Sequence, residues 1–227
     1  SMCQNVVVEN CVGRSSASGL KFGTVSRGGF RNFKVKNIKI YDTYRSAITF
    51  AAVDGALIEN IEVDGVRSIH TGNVIYLRIG DRWSAGKKPI MKNITINNIS
   101  PASIVGLPEY KIQNVTLQNI EIVSPGGGNP YYAYRGLAPA ELDSIPEMAT
   151  SYPEFSQFKE LPAWGFYIRH AEGITFDNVT FKALKKDYRP AIVMDDAGEV
   201  TFKDVRFIEP EGEGKKQIFP YKSKVIK

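Results

Sequence analysis

Cysteine and histidine are scarce in this chain of 227 residues, which has two of each. Two cysteines, Cys3 and Cys11, are too few for a disulfide framework, and no Cys/His cluster has the spacing of a zinc site. No run of about 18 or more apolar residues occurs, so no membrane span is predicted. No basic-then-apolar segment follows Met2, so the chain shows no signal peptide. We predict neither a metal nor a cofactor.

The excess of positive charge is small, with a formal net charge of +5. The basic residues are scattered singly rather than gathered in runs, which is typical of a solvated surface. A modest positive balance favours an anionic partner and does not require nucleic acid. We therefore expect no nucleic-acid partner.

A short pattern recurs along the chain: an apolar residue, two positions, Asn or Asp, a Val or Ile (Cys once), one position and another apolar residue. Successive copies are 21 to 33 residues apart, except for one step of 64 residues. The recurring polar residues are Asn10, Asn37, Asn60, Asn93, Asn114, Asn178 and Asp204. Internal repetition at such a period is the signature of a repeat architecture.

Each copy alternates apolar and polar residues at period two, which indicates a half-buried strand. A returning Asn would hydrogen-bond the next Asn in a ladder at the strand spacing of about 4.8 Å. These features predict an all-β right-handed parallel β-helix, a solenoid of stacked coils. An all-β sandwich is the alternative, but the chain lacks the regular hairpin signals that a sandwich would show.

The predicted organisation is a single domain over residues 1–227 with a loop insertion at 124–164. The insertion is rich in Gly, Pro and aromatic residues, and a short helix is expected around Pro139–Met148. Its aromatic side chains either stack on sugar rings or pin the loop to the domain. They are Tyr131, Tyr132, Tyr134, Tyr152, Phe155, Phe158 and Trp164.

Four longer segments carry a family likeness: SSASGLKFGT, YDTYRSAITF, HTGNVIYLRIGDR and YPEFSQFKELPAWGFYIRH. Together with the Asn-rich repeats, they resemble the C-terminal portion of bacterial glycoside hydrolase family 28 proteins, the polygalacturonase-like enzymes of pectin breakdown. The likeness covers essentially the whole chain. It implies inverting hydrolysis of acidic plant polysaccharide, polygalacturonan or rhamnogalacturonan, and a secreted or periplasmic location.

Inverting hydrolysis needs a carboxylic acid and a carboxylate about 6.5–9.5 Å apart. The family carries its aspartates in Asn-x-Asp and Asp-Asp motifs, and neither motif precedes a strand here, so the resemblance places them upstream of residue 1. Ser18 stands where the family has the histidine of Gly-His-Gly, and it is predicted to line the groove and contact substrate. The later Arg-Ile-Lys motif falls on residues 46–50, where neither cation is retained. The catalytic residues of this chain are therefore unknown.

Candidate substrate-binding cations lie on or beside consecutive strands: Lys21, Arg45, Arg78 and Arg82. Stacking of the strands would bring them into one column that faces a uronate chain, and arginine suits bidentate binding of carboxylates. The competing interpretation is that Lys21 and Arg78 have structural partners or extend along apolar surface.

The two histidines receive different predictions. His70 comes just before Asn73 at the start of a strand, and both residues are predicted to contact substrate. His170 is predicted to have a structural hydrogen-bonding role. Asp195 and Asp196 follow a strand and precede Ala-Gly, which favours a corner between strands over a catalytic pair.

Two functions from different classes follow. The first is part of a hydrolase that binds an acidic polysaccharide or oligosaccharide, and the second is a non-catalytic carbohydrate-binding or structural domain. A polysaccharide lyase is a weaker third, because the sequence shows neither calcium-binding carboxylates nor an Arg or Lys base. An exposed first coil would also leave an unpaired strand edge, which predicts self-association through the N-terminal end.

Overall fold

The computed structural model describes residues 1–97, 102–212 and 214–226. It is 58% strand and 5% helix, which confirms the all-β class. The strands are β1 (Cys3–Glu9), β2 (Val12–Arg14), β3 (Leu20–Phe22), β4 (Phe30–Ala52), β5 (Leu57–Ile79), β6 (Ile90–Asn97), β7 (Ala102–Val105), β8 (Ile112–Ser124), β9 (Phe166–Ala183), β10 (Ile192–Ile208), β11 (Ile218–Tyr221) and β12 (Val225–Ile226).

Among the residues that the structure describes, helical structure is confined to the segment between β8 and β9. It comprises one α-helix, α1 (Pro139–Asp143), and two 3-10 turns, Pro130–Tyr132 and Phe155–Phe158. The short helix expected around Pro139–Met148 is therefore confirmed. No helix in the described ranges has the length and apolar character that crossing a membrane requires.

Alternation at period two makes one face of each strand apolar. Neighbouring strands pair in parallel register, so these apolar faces align and form the core. One row of aligned side chains runs through five strands, and all of its members are buried. The row consists of Ile61, Ile94, Val115, Ile174 and Val200. Each of these side chains leaves water by packing on the equivalent residue of the next strand, which is the main favourable term in folding.

The prediction of a right-handed parallel β-helix is wrong. The first half of β5 pairs with β6 and the second half pairs with β7. β6 pairs with β8, and both β8 and β7 pair with β9. The pairings therefore return to β5 and close into a barrel of five parallel strands, with the other strands bonded outside it. Alternation specifies the buried face of a strand but not the partner that each half of a long strand selects, so the repeat could not show this closure.

The predicted asparagine ladder is confirmed, but it consists of more than one row. The longest row has side-chain hydrogen bonds of 2.9–3.2 Å between neighbours and contains Asn5, Asn32, Asn60, Asn93 and Asn114. Asn37 pairs with Asn10, and Asn178 pairs with Asn119. All these residues have positive φ angles, which Asn tolerates better than most residues, so each row marks a bend in the strands.

The segment between β8 and β9, residues 125–165, packs across the outer face of the sheet. A second cluster of buried side chains forms there, with Leu142, Ile145 and Phe158 from the segment against Tyr76 and Tyr167 from the strands. We call this segment the covering loop. Most of its apolar residues pin it to the sheet, so the face that the sequence analysis assigned to substrate is largely occupied by the chain itself.

The first strand, β1, forms one edge of the sheet. Among the residues that the structure describes, it pairs with β4 alone. Val7 on this strand is 58% exposed. Self-association through this edge stays a prediction, and an exposed strand edge is a template for such pairing.

Candidate functional site

Three of the predicted cations, Lys21, Arg45 and Arg82, surround the ring of Tyr152 in the covering loop. The Lys21 ammonium lies 4.4 Å from the ring centroid, and the guanidinium carbons of Arg45 and Arg82 lie at 5.2 and 5.7 Å. Together with Trp83, these residues form what we call the cation cluster. A cation within about 6 Å of a ring centroid is attracted by the negative face of the ring.

The strands set the positions of these side chains. Lys21 projects outward from β3 because its neighbour Phe22 points into the core, where it stacks on Phe50 at 4.7 Å. Arg45 lies at an irregularity of β4, between Thr43 and Ser46, where the pairing with β5 shifts register. The covering loop then places Tyr152 over both side chains.

Arg82 is held in the turn that follows β5. Its backbone nitrogen donates to Val53 O at 2.8 Å. Its guanidinium donates twice to the Asp54 carboxylate, at 3.1 and 2.8 Å, and lies 3.9 Å from the ring centroid of Trp83. Trp83 is 58% exposed, so one aromatic face of the cation cluster meets solvent.

The charges in the cation cluster are unevenly compensated. Arg82 is paired with Asp54, and Arg45 Nε lies 3.0 Å from Glu154 Oε1, although this ion pair lacks the angle of a hydrogen bond. Lys21 donates to Tyr152 Oη at 2.7 Å. Within the described ranges no carboxylate lies at ion-pair distance from Lys21, so its charge is available to an anionic ligand.

The hydrogen bonds from Lys21 and Thr24 lower the pKa of Tyr152 to about 8, and the smaller opposing effect is burial. The residue is 40% exposed. Because the pKa in the folded chain is below the ordinary value of about 10, the phenolate favours the docked loop. This contribution is complete above pH 10 and is lost as the pH falls through about 8.

An ultraviolet titration of the tyrosines checks this assignment. We expect one ionisation with a midpoint near pH 8 that is absent from Tyr152→Phe. Lys21→Met should move that midpoint toward the ordinary value of about 10, because it removes the main hydrogen-bond donor. An unchanged midpoint in Lys21→Met would show that Lys21 does not set the pKa of Tyr152.

Arg78 is separated from the cation cluster by the covering loop. Its guanidinium donates to the carbonyl oxygens of Glu147 and Met148 in the loop and to Gly106 O, and only 2% of the residue is exposed. Burial lowers the pKa of Arg78. A ligand outside the loop does not reach this side chain, so we leave Arg78 out of the site. Arg78 therefore has structural partners, as the competing interpretation of this residue states.

Ser18, His70 and Asn73 lie in other surroundings. Ser18 Oγ, just before β3, is 3.0 Å from Thr49 Oγ1 on β4, in a hydrogen bond. His70 and Asn73 line a cleft of about 620 Å³ beside the covering loop, together with Lys159 and Trp164. His70 Nδ1 lies 3.2 Å from Asp42 Oδ1. Their contact with substrate stays a prediction.

The structural prediction for His170 is confirmed. Nδ1 of this buried ring lies 2.7 Å from Asp196 Oδ2, and Nε2 lies 3.0 Å from Glu147 Oε1 of the covering loop. Asp196 has a φ of +51°, which bends the chain, but Asp195 and Asp196 both lie inside β10 rather than at a corner between two strands. Its neighbour Asp195 lies 3.0 Å from Arg169 Nε in an ion pair that lacks the angle of a hydrogen bond. Both aspartates therefore contact β9 side chains, Arg169 and His170, that in turn bind Glu147 of the covering loop.

Sequence reasoning grouped Lys21, Arg45 and Arg82 but missed Tyr152 as their centre. Tyr152 was noticed only as one of several aromatic residues in the insertion, and no local pattern links it to a strand more than a hundred residues earlier. Trp83 was also missed, although it directly follows Arg82 in the sequence.

The fold and the site define an all-β protein of parallel strands with a surface cluster of cations and aromatic rings. No protein-family model, no curated protein and no solved structure matches the chain.

Proposed function

We propose that the chain binds an acidic carbohydrate, a uronate-containing oligosaccharide, at the cation cluster. The observation that carries the proposal is the gathering of Lys21, Arg45 and Arg82 around Tyr152, with Lys21 free of any carboxylate among the described residues. A uronate presents one carboxylate on each sugar ring. Lys21 would pair with that carboxylate, and the exposed face of Trp83 would stack on a ring.

The resemblance to glycoside hydrolase family 28 supports the same ligand class, since those proteins act on polygalacturonan and rhamnogalacturonan. A pectin ligand would in turn fit a secreted or periplasmic location. Both statements belong to the proposal and rest on the likeness of the four sequence segments.

Hydrolysis is the second candidate, and the family resemblance is what suggests it. In the cation cluster itself, Asp54 and Glu154 are paired with Arg82 and Arg45. Inverting hydrolysis requires one protonated carboxyl group and one carboxylate that activates water. We therefore propose binding, rather than hydrolysis, at the cation cluster.

Calorimetric titration with a trigalacturonate tests the proposal, with the matching neutral galactose trisaccharide as control. We expect the acidic sugar to bind and the neutral sugar to bind far more weakly. Affinity should fall as salt is added, because screening weakens the pairing with exposed cations. Equal affinity for the two sugars, or no binding of the acidic one, would refute the proposal.

A further inference from the structure

Tyr152 places a titratable hydroxyl within the proposed binding site. Its oxygen is 2.7 Å from Lys21 Nζ, and its ring lies against the guanidinium groups of Arg45 and Arg82. Phe158, whose ring attaches the covering loop to the sheet, is only 2% exposed. Tyr152, on the same loop, is 40% exposed. The hydroxyl is therefore reachable by a ligand bound to the same cations.

A uronate bound at such a site has a proton that a base can remove. The hydrogen on C5 is adjacent to the carboxylate carbon, and neutralisation of that carboxylate by a cation stabilises the carbanion that forms when the hydrogen leaves as a proton. A base within hydrogen-bond reach of C5 is then the remaining requirement for proton abstraction. In a 4-linked chain, the oxygen on C4 is the leaving group.

We propose that Tyr152 is the catalytic base of a β-elimination that cleaves 4-linked uronate chains at the cation cluster. The inference rests on the proposed binding of such chains. The Tyr152 phenolate takes the C5 proton, the electron pair of the C5–H bond forms the C4–C5 double bond, and the C4–O bond breaks. In a galacturonate residue C5–H and C4–O point to opposite faces of the ring, so the leaving oxygen takes its proton from solvent, and Tyr152 gives its proton to solvent, which regenerates the phenolate. The products are an unsaturated uronide and a new chain end, and no water or further reactant is consumed.

The surroundings of Tyr152 favour elimination over hydrolysis. The carboxylates nearest the ring, Glu154 and Asp54, are each held by an arginine, and the Asp54 side chain is 1% exposed. Elimination requires cations and one base, which the cation cluster contains. The sequence shows no Lys or Arg base for a lyase, and the structure offers a tyrosine instead.

The reaction should follow the ionisation of Tyr152. The groups that face its side chain are Lys21 from β3, Thr24 after that strand, Arg45 from β4, and Arg82 from the turn after β5. Glu154 lies behind Arg45. The rate should rise with pH through about 8, since the phenolate is the active form.

The test uses polygalacturonate and follows the ultraviolet absorbance of the unsaturated product, with sugar binding measured separately. Tyr152→Phe keeps the ring and removes the base, so we expect the elimination rate to fall about 10²–10⁴-fold while affinity for trigalacturonate changes little. Tyr131→Phe is the matched control, since Tyr131 is 91% exposed on the same loop and lies outside the cation cluster.

Each outcome decides between the two proposals. Ultraviolet-absorbing product that depends on Tyr152 supports the elimination. Binding without such product, reducing ends without ultraviolet absorbance, or full activity in Tyr152→Phe would overturn the elimination and leave the binding proposal standing. The absence of binding would overturn both.

Discussion

Replacing Arg169 by methionine is expected to lower the free energy of unfolding by about 3–5 kcal/mol, the usual loss when one partner of a buried ion pair is removed. Arg169 lies on β9 with 7% of its side chain exposed, 2.7 Å from Glu147 Oε1 and 3.0 Å from Asp195 Oδ2. It also donates to Ile145 O at 2.6 Å. The substitution therefore leaves the buried Asp195 carboxylate without its cation and removes two contacts to the covering loop, those with Glu147 and Ile145.

Urea unfolding of three variants separates these effects. Arg169→Met with Asp195→Leu should recover much of the loss, because both charges are then gone and apolar groups fill the site. Lys186→Met removes an ion pair between exposed side chains and should change stability by at most about 1 kcal/mol. A stability loss for Arg169→Met as small as that of Lys186→Met would contradict the assignment of Arg169.

The destabilisation by Arg169→Met should also shrink in acid. Burial raises the pKa of Asp195 even with Arg169 beside it, and without the arginine that pKa rises further. As the pH falls, the carboxyl group takes up a proton and no longer carries a buried charge. Unfolding measured at a series of pH values should therefore show the difference between wild type and variant narrowing toward low pH.

Arg82→Met is expected to affect both stability and binding. Asp54 is fully buried and receives two hydrogen bonds from the Arg82 guanidinium, so the variant leaves a buried charge without its partner. We expect a loss of about 3–5 kcal/mol in unfolding free energy. Affinity for trigalacturonate should fall as well, because Trp83 and Tyr152 lose the cation that lies against both rings.

The double variant Arg82→Met with Asp54→Leu distinguishes these two roles. It should regain stability, because the buried charge has gone, while affinity stays low. Recovery of affinity together with stability would show that Arg82 acts only through folding, and the site would then have to be redrawn around Lys21 and Arg45.

The sequence predicts the strands and their asparagine rows well, because both follow from local alternation and from a residue that tolerates positive φ. It fails on closure of the sheet. The two halves of β5 look like ordinary half-buried strands, and their different partners, β6 and β7, depend on packing far along the chain. Alternation carries no information about that choice.

The candidate site was likewise predictable only where local alternation places its residues. Lys21, Arg45 and Arg82 were predictable because they lie on or beside strands whose faces the alternation defines. Arg78 has the same local pattern, yet the covering loop buries it, and nothing near Arg78 in the sequence announces that loop. Tyr152 belongs to a segment without periodicity, so its position depends on tertiary contacts alone.

The binding of an acidic sugar at the cation cluster is tested most directly by the affinity of Lys21→Met for trigalacturonate. Lys21 has no carboxylate partner among the described residues, so its removal leaves no buried charge unpaired, and the lost hydrogen bond to Tyr152 should lower stability by only about 1 kcal/mol. Lys39→Met on β4 is the matched control, since Lys39 is exposed and lies outside the cluster.

A hydrogen bond to a charged group contributes about 1.5–3 kcal/mol, so we predict a loss of about ten-fold or more for Lys21→Met and no change for Lys39→Met. Equal affinity of Lys21→Met and the wild type would contradict the assignment of the cation cluster as the binding site.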